Sequence, residues 1–335
     1  METGDGWIVR ARIGCRPVPA AQWTELAELA EVYGNGLVEF TMRGNVQVRG
    51  VAEHRTVEAG RRLVVAGLAG VDETSDRRRV VVVNPLARLA DATVGGVSTD
   101  AVTACLEDLL AQHGAELPPK WWAVVDPDTV WPMSTAGCDV AVRHRGDAWW
   151  VIVAGRHVWS GPDPIPELER VAERCARLGC RARDLDGLPG PGGATSDVRV
   201  PWWGVRRLED TLVAAAAPPF GVATAPALHV LALLAASPHV SVHPTPERGV
   251  VVIAPHRCAD EVDRCLDELD SLGWITAGDD PRRLLSACIG SRGCSAALVD
   301  TWQVAAELVG TGARAVERTH VSGCSKRCGA PTAVR

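Results

Sequence analysis

Phe and Tyr are almost absent from this sequence, at two and one in 335 residues, so twelve Trp supply nearly all of its aromatic bulk. No apolar stretch opens the chain: METGDGWIVRARIG carries acidic residues and lacks the apolar segment of a secretory signal. No unbroken run of membrane length follows. The longest apolar stretch, 212–236, is interrupted by Pro218, Pro219, Pro226 and His229, and reads as a loop and a core helix. Excess positive charge is missing too: the formal net charge is -6, the basic residues are almost all Arg, and no bulk field favours nucleic acid. These absences predict a soluble, cytoplasmic protein without nucleic-acid or membrane partners, in which any anion site is local.

A chain of 335 residues can form two or three packed units. Its eleven cysteines, without an export signal, imply reduced thiols or metal ligands rather than a disulfide frame. Seven are scattered (Cys15, Cys105, Cys138, Cys175, Cys180, Cys258, Cys265) and read as small buried apolar residues. The other four cluster near the C-terminus.

Patterning gives a strand over 7–13, a helix in AAQWTELAELAEVYGNG, a strand over 38–50 and a helix over 54–68. A weaker copy follows: DVRVPWWGV and HVSVHPTPERGVVVIAP as strands, APALHVLALLAA and CADEVDRCLDELDSLG as helices. Aligning Val46 with Val250 sets the copies 204 residues apart, with Arg248 near the place of Arg43. An internal duplication follows, two half-units building one pseudo-symmetric α+β domain. Between the copies, VVVVNPLARLA, KWWAVVD, CDVAVRHRG and DAWWVIVAGRHV read as strands and 99–113 and 165–178 as helices. The expected units are 1–72, 76–185, a Gly/Pro-rich linker over 186–196, 197–278, and a short C-terminal segment over 282–335.

Across 38–50 the alternation is unbroken. Val38, Phe40, Met42, Gly44, Val46 and Val48 fall on one side; Glu39, Thr41, Arg43, Asn45, Gln47 and Arg49 fall on the other. Two readings are open: a half-buried strand whose polar face meets water, or the wall of a site for something flat and anionic.

Cys288 and Cys294 have five residues between them, Cys324 and Cys328 three, and 29 separate the pairs. Four thiolates beside Gly290, Gly293, Gly323 and Gly329 are the usual ligand set of an iron–sulfur cluster, the glycines letting backbone approach the sulfides. Zinc is the first alternative, although structural zinc favours two-residue gaps. Inert or redox thiols are the second.

CxxxxxC followed at a distance by CxxxC, together with the Thr-x-Arg-x-x-x-Gln pattern of TMRGNVQVRG, resembles the siroheme and [4Fe-4S] sites of the nitrite/sulfite reductase superfamily. Within it, ACIGSRGCSAALVDT and VSGCSKRCGAP look most like the precorrin-3B synthases. The resemblance implies an α+β fold in which duplicated ferredoxin-like half-domains pack with α/β iron–sulfur/haem-type subdomains, the second one short. It implies an oxidoreductase of aerobic cobalamin biosynthesis that uses O2 to hydroxylate precorrin-3A and close a lactone. The implied cofactors are a [4Fe-4S] cluster on Cys288, Cys294, Cys324 and Cys328 and a mononuclear non-haem iron without assignable ligands. A reductase would bind siroheme instead, with Cys328 as the bridging thiolate. The implied partners are a precorrin-3A-like tetrapyrrole, O2 and an unidentified electron donor.

Under the resemblance Arg43, Asn45, Gln47 and Arg49 become a wall for ring carboxylates, joined by Arg79, Lys120 in LPPKWW, and Arg248 as a looser member; His320 is a weak iron-ligand candidate. Val80 stands where the reductases commonly carry Asn and Trp122 where they carry a second Lys, which argues against sulfite or nitrite as substrate. The chain ends seven residues after Cys328, where relatives continue, so a more exposed cluster or an inactive protein is an expectation. In the Trp pairs 121/122, 149/150 and 202/203, adjacent strand residues face opposite ways, so most of these rings belong to the core.

Overall fold

The computed structural model describes residues 2–72, 80–90, 93–127, 129–133, 135, 137–188, 202–310 and 319–325. The chain divides into two compact units, Met1–Ala69 with Trp202–Arg335, and Gly70–Pro201.

The first unit starts with strands β1 (Glu2–Thr3) and β2 (Gly6–Ala11). Helix α1 (Ala20–Val32) follows an extended Pro19 and buries Trp23, Leu26, Ala27, Leu29 and Ala30, the spacing that predicts a one-sided helix. The polypeptide leaves it through Gly36 at φ +80°, a conformation with little cost for glycine. Residues 38–50 are then not one strand. They form a hairpin of β3 (Leu37–Phe40) and β4 (Val46–Val51), in which Val38 opposes Val48, Glu39 opposes Gln47 and Phe40 opposes Val46. Helix α2 (Thr56–Val65) buries Ala59 and Leu63.

The second unit holds β5 (Val80–Val83), the short helix α3 (Ala87–Ala90), a small hairpin of β6 (Thr93–Val94) and β7 (Val97–Ser98), and helix α4 (Thr99–His113), whose first turn is capped by the Ser98 hydroxyl accepting from Ala101 N–H at 3.1 Å. Strands β8 (Trp122–Asp126), β9 (Val140–Arg145), β10 (Ala148–Val153) and β11 (Arg156–Gly161) follow, then helix α5 (Ile165–Leu178), closed by Gly179 in the left-handed region. The sheet order is β11-β10-β9-β8-β5, parallel from β5 through β9 and antiparallel beyond. Trp121, Trp149, Val125 and Val151 share a core with Leu106, Leu168 and Cys175. The stretch read as one strand, DAWWVIVAGRHV, is two, turned at Ala154 and Gly155, both at positive φ.

Back in the first unit, the second half-domain comprises β12 (Gly204–Arg207), β13 (Thr211–Ala216), β14 (Val222–Thr224), helix α6 (Ala225–Ala235), β15 (Ser241–Pro244), β16 (Val250–Pro255) and helix α7 (Ala259–Ser271). The 204-residue offset holds element by element: β15 and β16 lie at that distance from β3 and β4. The halves also exchange edges. β14 completes the first sheet, β1-β2-β4-β3-β14, while Val18 N–H donates to Val242 O of β15 at 2.9 Å. One hydrophobic core spans both halves, with Phe40 edge-on to Trp274 at 5.9 Å and tilted against Trp23 at 6.2 Å. The fold is therefore α+β with duplicated half-domains.

The C-terminal segment adds β17 (Leu285–Ala287), helix α8 (Thr301–Gly310) and β18 (Thr319–Val321), with β17 and β18 paired in parallel. Ala287 and Ala305 form a small cluster with Phe220 of the second half-domain, and Trp302 packs on the same Phe220 ring. Among the described residues no helix is long and apolar enough to cross a membrane.

Candidate functional site

The two hairpins reverse in the same way. In the first, Thr41 N–H donates to Asn45 O at 2.9 Å and Gly44 N–H to Thr41 O at 3.1 Å; in the second, Thr245 N–H donates to Gly249 O at 2.9 Å and Arg248 N–H to Thr245 O at 3.0 Å. Gly44 and Arg248 therefore occupy equivalent positions, at φ +61° and +62°. Arg248 matches Gly44 rather than Arg43, whose counterpart is Glu247; applying the 204-residue offset residue by residue would have shown this.

Because of the turn, the polar residues of 39–49 do not form one row. Thr41 Oγ1 accepts from Arg43 N–H at 3.3 Å and Asn45 N–H at 3.2 Å, and Arg43 is half-buried in the turn itself. Asn45, buried, uses Oδ1 to accept from Ile13 N–H at 2.8 Å and Gly14 N–H at 3.1 Å. Gln47, with its amide oxygen turned toward Arg10, accepts from Arg10 Nε at 3.3 Å and Nη2 at 3.2 Å.

Arg49 is only 5% exposed and already holds two carboxylates. Its Nε and Nη2 donate to Asp5 Oδ2 and Oδ1 at 3.0 and 2.9 Å, and Nη1 donates to Glu39 Oε2 at 2.7 Å. Burial works against the charge, and Glu39 and Asp5 more than offset it, so the Arg49 pKa stands above its ordinary value. Asp5 carries no signal in the sequence; Glu39 falls on the polar side of the alternation with Arg49, and the hairpin sets it opposite Gln47. Arg248, half-buried beside Gly221, is held below its ordinary value by burial, against the pull of Glu39.

The described cysteines of the C-terminal group share one segment. Cys288 directly follows β17, and Cys324 lies three residues past β18, so both leave the same end of a parallel strand pair. Cys288 N–H donates to Val321 O at 3.1 Å, Thr301 Oγ1 donates to Cys288 O at 2.6 Å, and Cys288 Sγ accepts from Gly323 N–H at 3.2 Å. Cys294 follows a short 3-10 turn, with its N–H on Gly290 O at 2.9 Å. Among the described residues no three His, Cys, Asp or Glu side chains are gathered closely enough to hold a metal; Cys328 lies outside them.

The glycines of this segment serve another end than the one read from the sequence. A Cβ on Gly290 would lie 2.5 Å from Thr301 Oγ1, one on Gly293 2.8 Å from Ile289 Cγ1, and one on Gly323 2.8 Å from Ala297 Cβ. Protein atoms fill those spaces, so these glycines pack the cysteine loops onto one another. Gly329 lies outside the described residues. His320, on β18, pairs through Nδ1 with Ser286 Oγ at 2.9 Å.

In the second unit, Lys120 is exposed just ahead of β8, and Arg79 lies outside the described residues. Trp122 is buried, its indole N–H spent on Gly137 O at 2.9 Å, so no cation stands at that position. Trp121, Trp149 and Trp203 are also buried; Trp150 stacks on His157 at 4.1 Å. Of the seven scattered cysteines, Cys15, Cys138, Cys175, Cys258 and Cys265 are buried and Cys105 and Cys180 half-buried. Burial pushes the thiols of Cys138, Cys175 and Cys265 up to about 12, beyond any role as thiolates near neutral pH.

The family profile described as the nitrite/sulfite reductase ferredoxin-like half domain matches residues 1–64. A precorrin-3B synthase of Sinorhizobium sp is 26% identical over 371 aligned positions, covering 99% of this chain and 76% of that protein. The structure of the Mycobacterium tuberculosis NirA protein superposes with a TM-score of 0.67 over 96% of this chain and 68% of that one; at 20% identity this likeness speaks for the fold alone. Residues 1–64 thus match the nitrite/sulfite reductase ferredoxin-like half domain, and the resemblance to precorrin-3B synthase is borne out along nearly the whole chain.

Proposed function

We propose that the protein is an oxidoreductase of aerobic cobalamin biosynthesis that hydroxylates a precorrin-3A-like tetrapyrrole with O2 and closes an acetate side chain into a lactone. The observation that carries this reading is the exit of Cys288 and Cys324 from one end of a parallel strand pair, in a chain similar to a precorrin-3B synthase over 99% of its length. In this reading Cys288, Cys294, Cys324 and Cys328 hold a [4Fe-4S] cluster. The donor chemistry fits, since Cys288, Cys294 and Cys324 sit on short loops and Cys288 Sγ already receives a backbone N–H. When bound, such a cluster supplies single electrons.

The protein's own residues bind and orient the macrocycle. Arg43 and Arg248, in equivalent turns of the two half-domains, and Arg79 and Lys120 of the second unit are the cations assigned to its carboxylates. Asn45, Gln47 and Arg49 hold the first hairpin in shape behind Arg43. Two electrons from an external donor of unidentified class balance the reaction, one oxygen atom entering the ring and the other leaving as water.

The match of residues 1–64 to the nitrite/sulfite reductase ferredoxin-like half domain keeps a siroheme-dependent nitrite or sulfite reductase as the second reading. Anaerobic purification followed by absorption spectra, iron and sulfide assays, and mass spectrometry of a precorrin-3A incubation with O2 and reductant separates the readings. About four irons and four sulfides with a product heavier by one oxygen supports the synthase. A siroheme band supports the reductase, and a cluster without turnover supports a non-catalytic tetrapyrrole-binding protein.

A further inference from the structure

The Arg49–Asp5 contact reaches further than the hairpin. The turn joining β1 to β2 lies directly on the Cys294 loop: a Cβ on Gly4 would stand 2.2 Å from Ser295 N and 2.6 Å from Cys294 Cα, and one on Gly293 2.9 Å from Asp5 Cγ and Oδ2. The Asp5 carboxylate is held from several sides. Arg49 grips it with two parallel bonds, Thr3 Oγ1 donates to Oδ1 at 2.7 Å, and Asn35 Nδ2 donates to Oδ2 at 3.3 Å. The side chains of Arg49 and Asp5 are 6% and 5% exposed, so removing Arg49 strands the Asp5 charge out of water, and removing Asp5 leaves Arg49 with Glu39 alone.

We infer that Asp5 and Arg49 are positioning residues for the Cys294 loop, an N-terminal strap by which the first hairpin fixes where that thiol sits. The assignment of Cys294 to a cluster rests on the function proposed above; the strap itself does not. A bidentate guanidinium–carboxylate pair fixes orientation as well as distance, and the side-chain-free contacts at Gly4 and Gly293 pass that orientation to the backbone flanking Cys294. Glu39, the other partner of Arg49, lies on β3 and serves as the control.

The test uses the full chain with Asp5→Asn, Arg49→Met, Arg49→Lys and Glu39→Gln variants. In metal-free protein, iodoacetamide labelling of each cysteine is followed by peptide mass mapping. The expected result is about tenfold faster labelling of Cys294 in Asp5→Asn and Arg49→Met, with Cys288 and Cys324 unchanged, partial recovery in Arg49→Lys and no change in Glu39→Gln. After anaerobic reconstitution, the first two should shift the cluster's midpoint potential and EPR signal; their unfolding temperature should fall because a buried pair is broken, and unchanged labelling of Cys288 and Cys324 separates a local change at Cys294 from general loosening. Unchanged Cys294 labelling, or equal acceleration at all three thiols, would overturn the strap. Wild-type protein that takes up no iron or sulfide would remove the cluster reading instead, and labelling alone would then judge the strap.

Discussion

Arg248 takes the backbone conformation in its hairpin turn that Gly44 takes in the other, at φ +62° against +61°. Side chains with a Cβ pay about 1–2 kcal/mol to enter this region. In the first copy the position is glycine because nothing else fits, whereas the second copy bears the strain and gains a cation. Gly221, at φ +79°, makes room for it: a Cβ there would lie 2.7 Å from Arg248 Cδ. Strain of this kind in a non-glycine residue is a pointer to function.

Arg248→Gly should therefore separate stability from binding. Relief of about 1 kcal/mol of backbone strain offsets the lost packing on Gly221, so the urea midpoint should hold or rise slightly. Affinity for a tetrapyrrole carboxylate should fall by about 1.5–3 kcal/mol, the range for a charged hydrogen bond, as read by fluorescence titration. A sharp fall in the midpoint would make Arg248 a packing residue.

Gly44→Ala should destabilise more than Gly36→Ala. Both glycines have positive φ, but a Cβ at Gly44 would lie 2.4 Å from Cys15 Sγ and 2.8 Å from Cys15 N, whereas at Gly36 it meets nothing within 4 Å. The backbone term of about 1 kcal/mol is common to both, and overlap with Cys15 adds roughly 1–3 kcal/mol at Gly44 alone. Denaturant unfolding of the two variants isolates the steric part as their difference.

The duplication was legible because hydrophobic spacing survives in both copies: Trp23, Leu26 and Ala30 in α1, and Leu228 and Leu231 in α6, all face the shared core. The first hairpin was hidden for a specific reason. Its turn keeps the alternation of apolar and polar residues, so a reversal at Gly44-Asn45 looks like continued strand, and the second copy's Pro246-Glu247-Arg248-Gly249 was the clearer turn signal. The ligand wall suffered accordingly. Residues drawn on one face of a strand of thirteen residues include three on paired strands and three in a turn, and the partners of Arg49 arrive from residues 5 and 39, which no periodicity connects. The cysteine segment was legible as spacing, while its glycines could be assigned to packing only once Thr301, Ala297 and Asp5 were seen against them.

The buried thiols predict a pH dependence. Cys138, raised by burial and then by Asp139, and Cys265, raised by burial and then by Glu268, titrate near 12 when folded and near 9.0 when unfolded. A raised folded pKa contributes stability that is complete below about pH 9 and lost as pH climbs toward 12, because the unfolded chain releases these protons first. Alkaline unfolding midpoints should fall across that window, and a Cys138→Ala Cys265→Ala variant should show a shallower fall. In native protein at pH 8, the half-buried Cys288, Cys294 and Cys324 should react with iodoacetamide well before these two.

Asn84 closes a buried polar network in the second unit and gives the sharpest stability prediction. Its Nδ2 donates to Asp126 Oδ1 at 2.6 Å, Thr129 Oγ1 at 3.0 Å and Trp131 O at 2.9 Å, and its Oδ1 accepts from Leu86 N–H at 2.8 Å. Both Asn84 and Asp126 are under 5% exposed. Asn84→Ala removes these bonds from groups that cannot reach bulk water, which should cost roughly 2–4 kcal/mol. Asn84→Asp is nearly isosteric yet sets a second carboxylate against Asp126, so it should be worse than alanine at pH 7 and should recover as acid supplies a proton for the pair to share. Urea unfolding at pH 7 and pH 5, followed by Trp fluorescence, reads both effects. If Asn84→Asp matches alanine at both pH values, the network is open to water and Asp126 is not confined by Asn84.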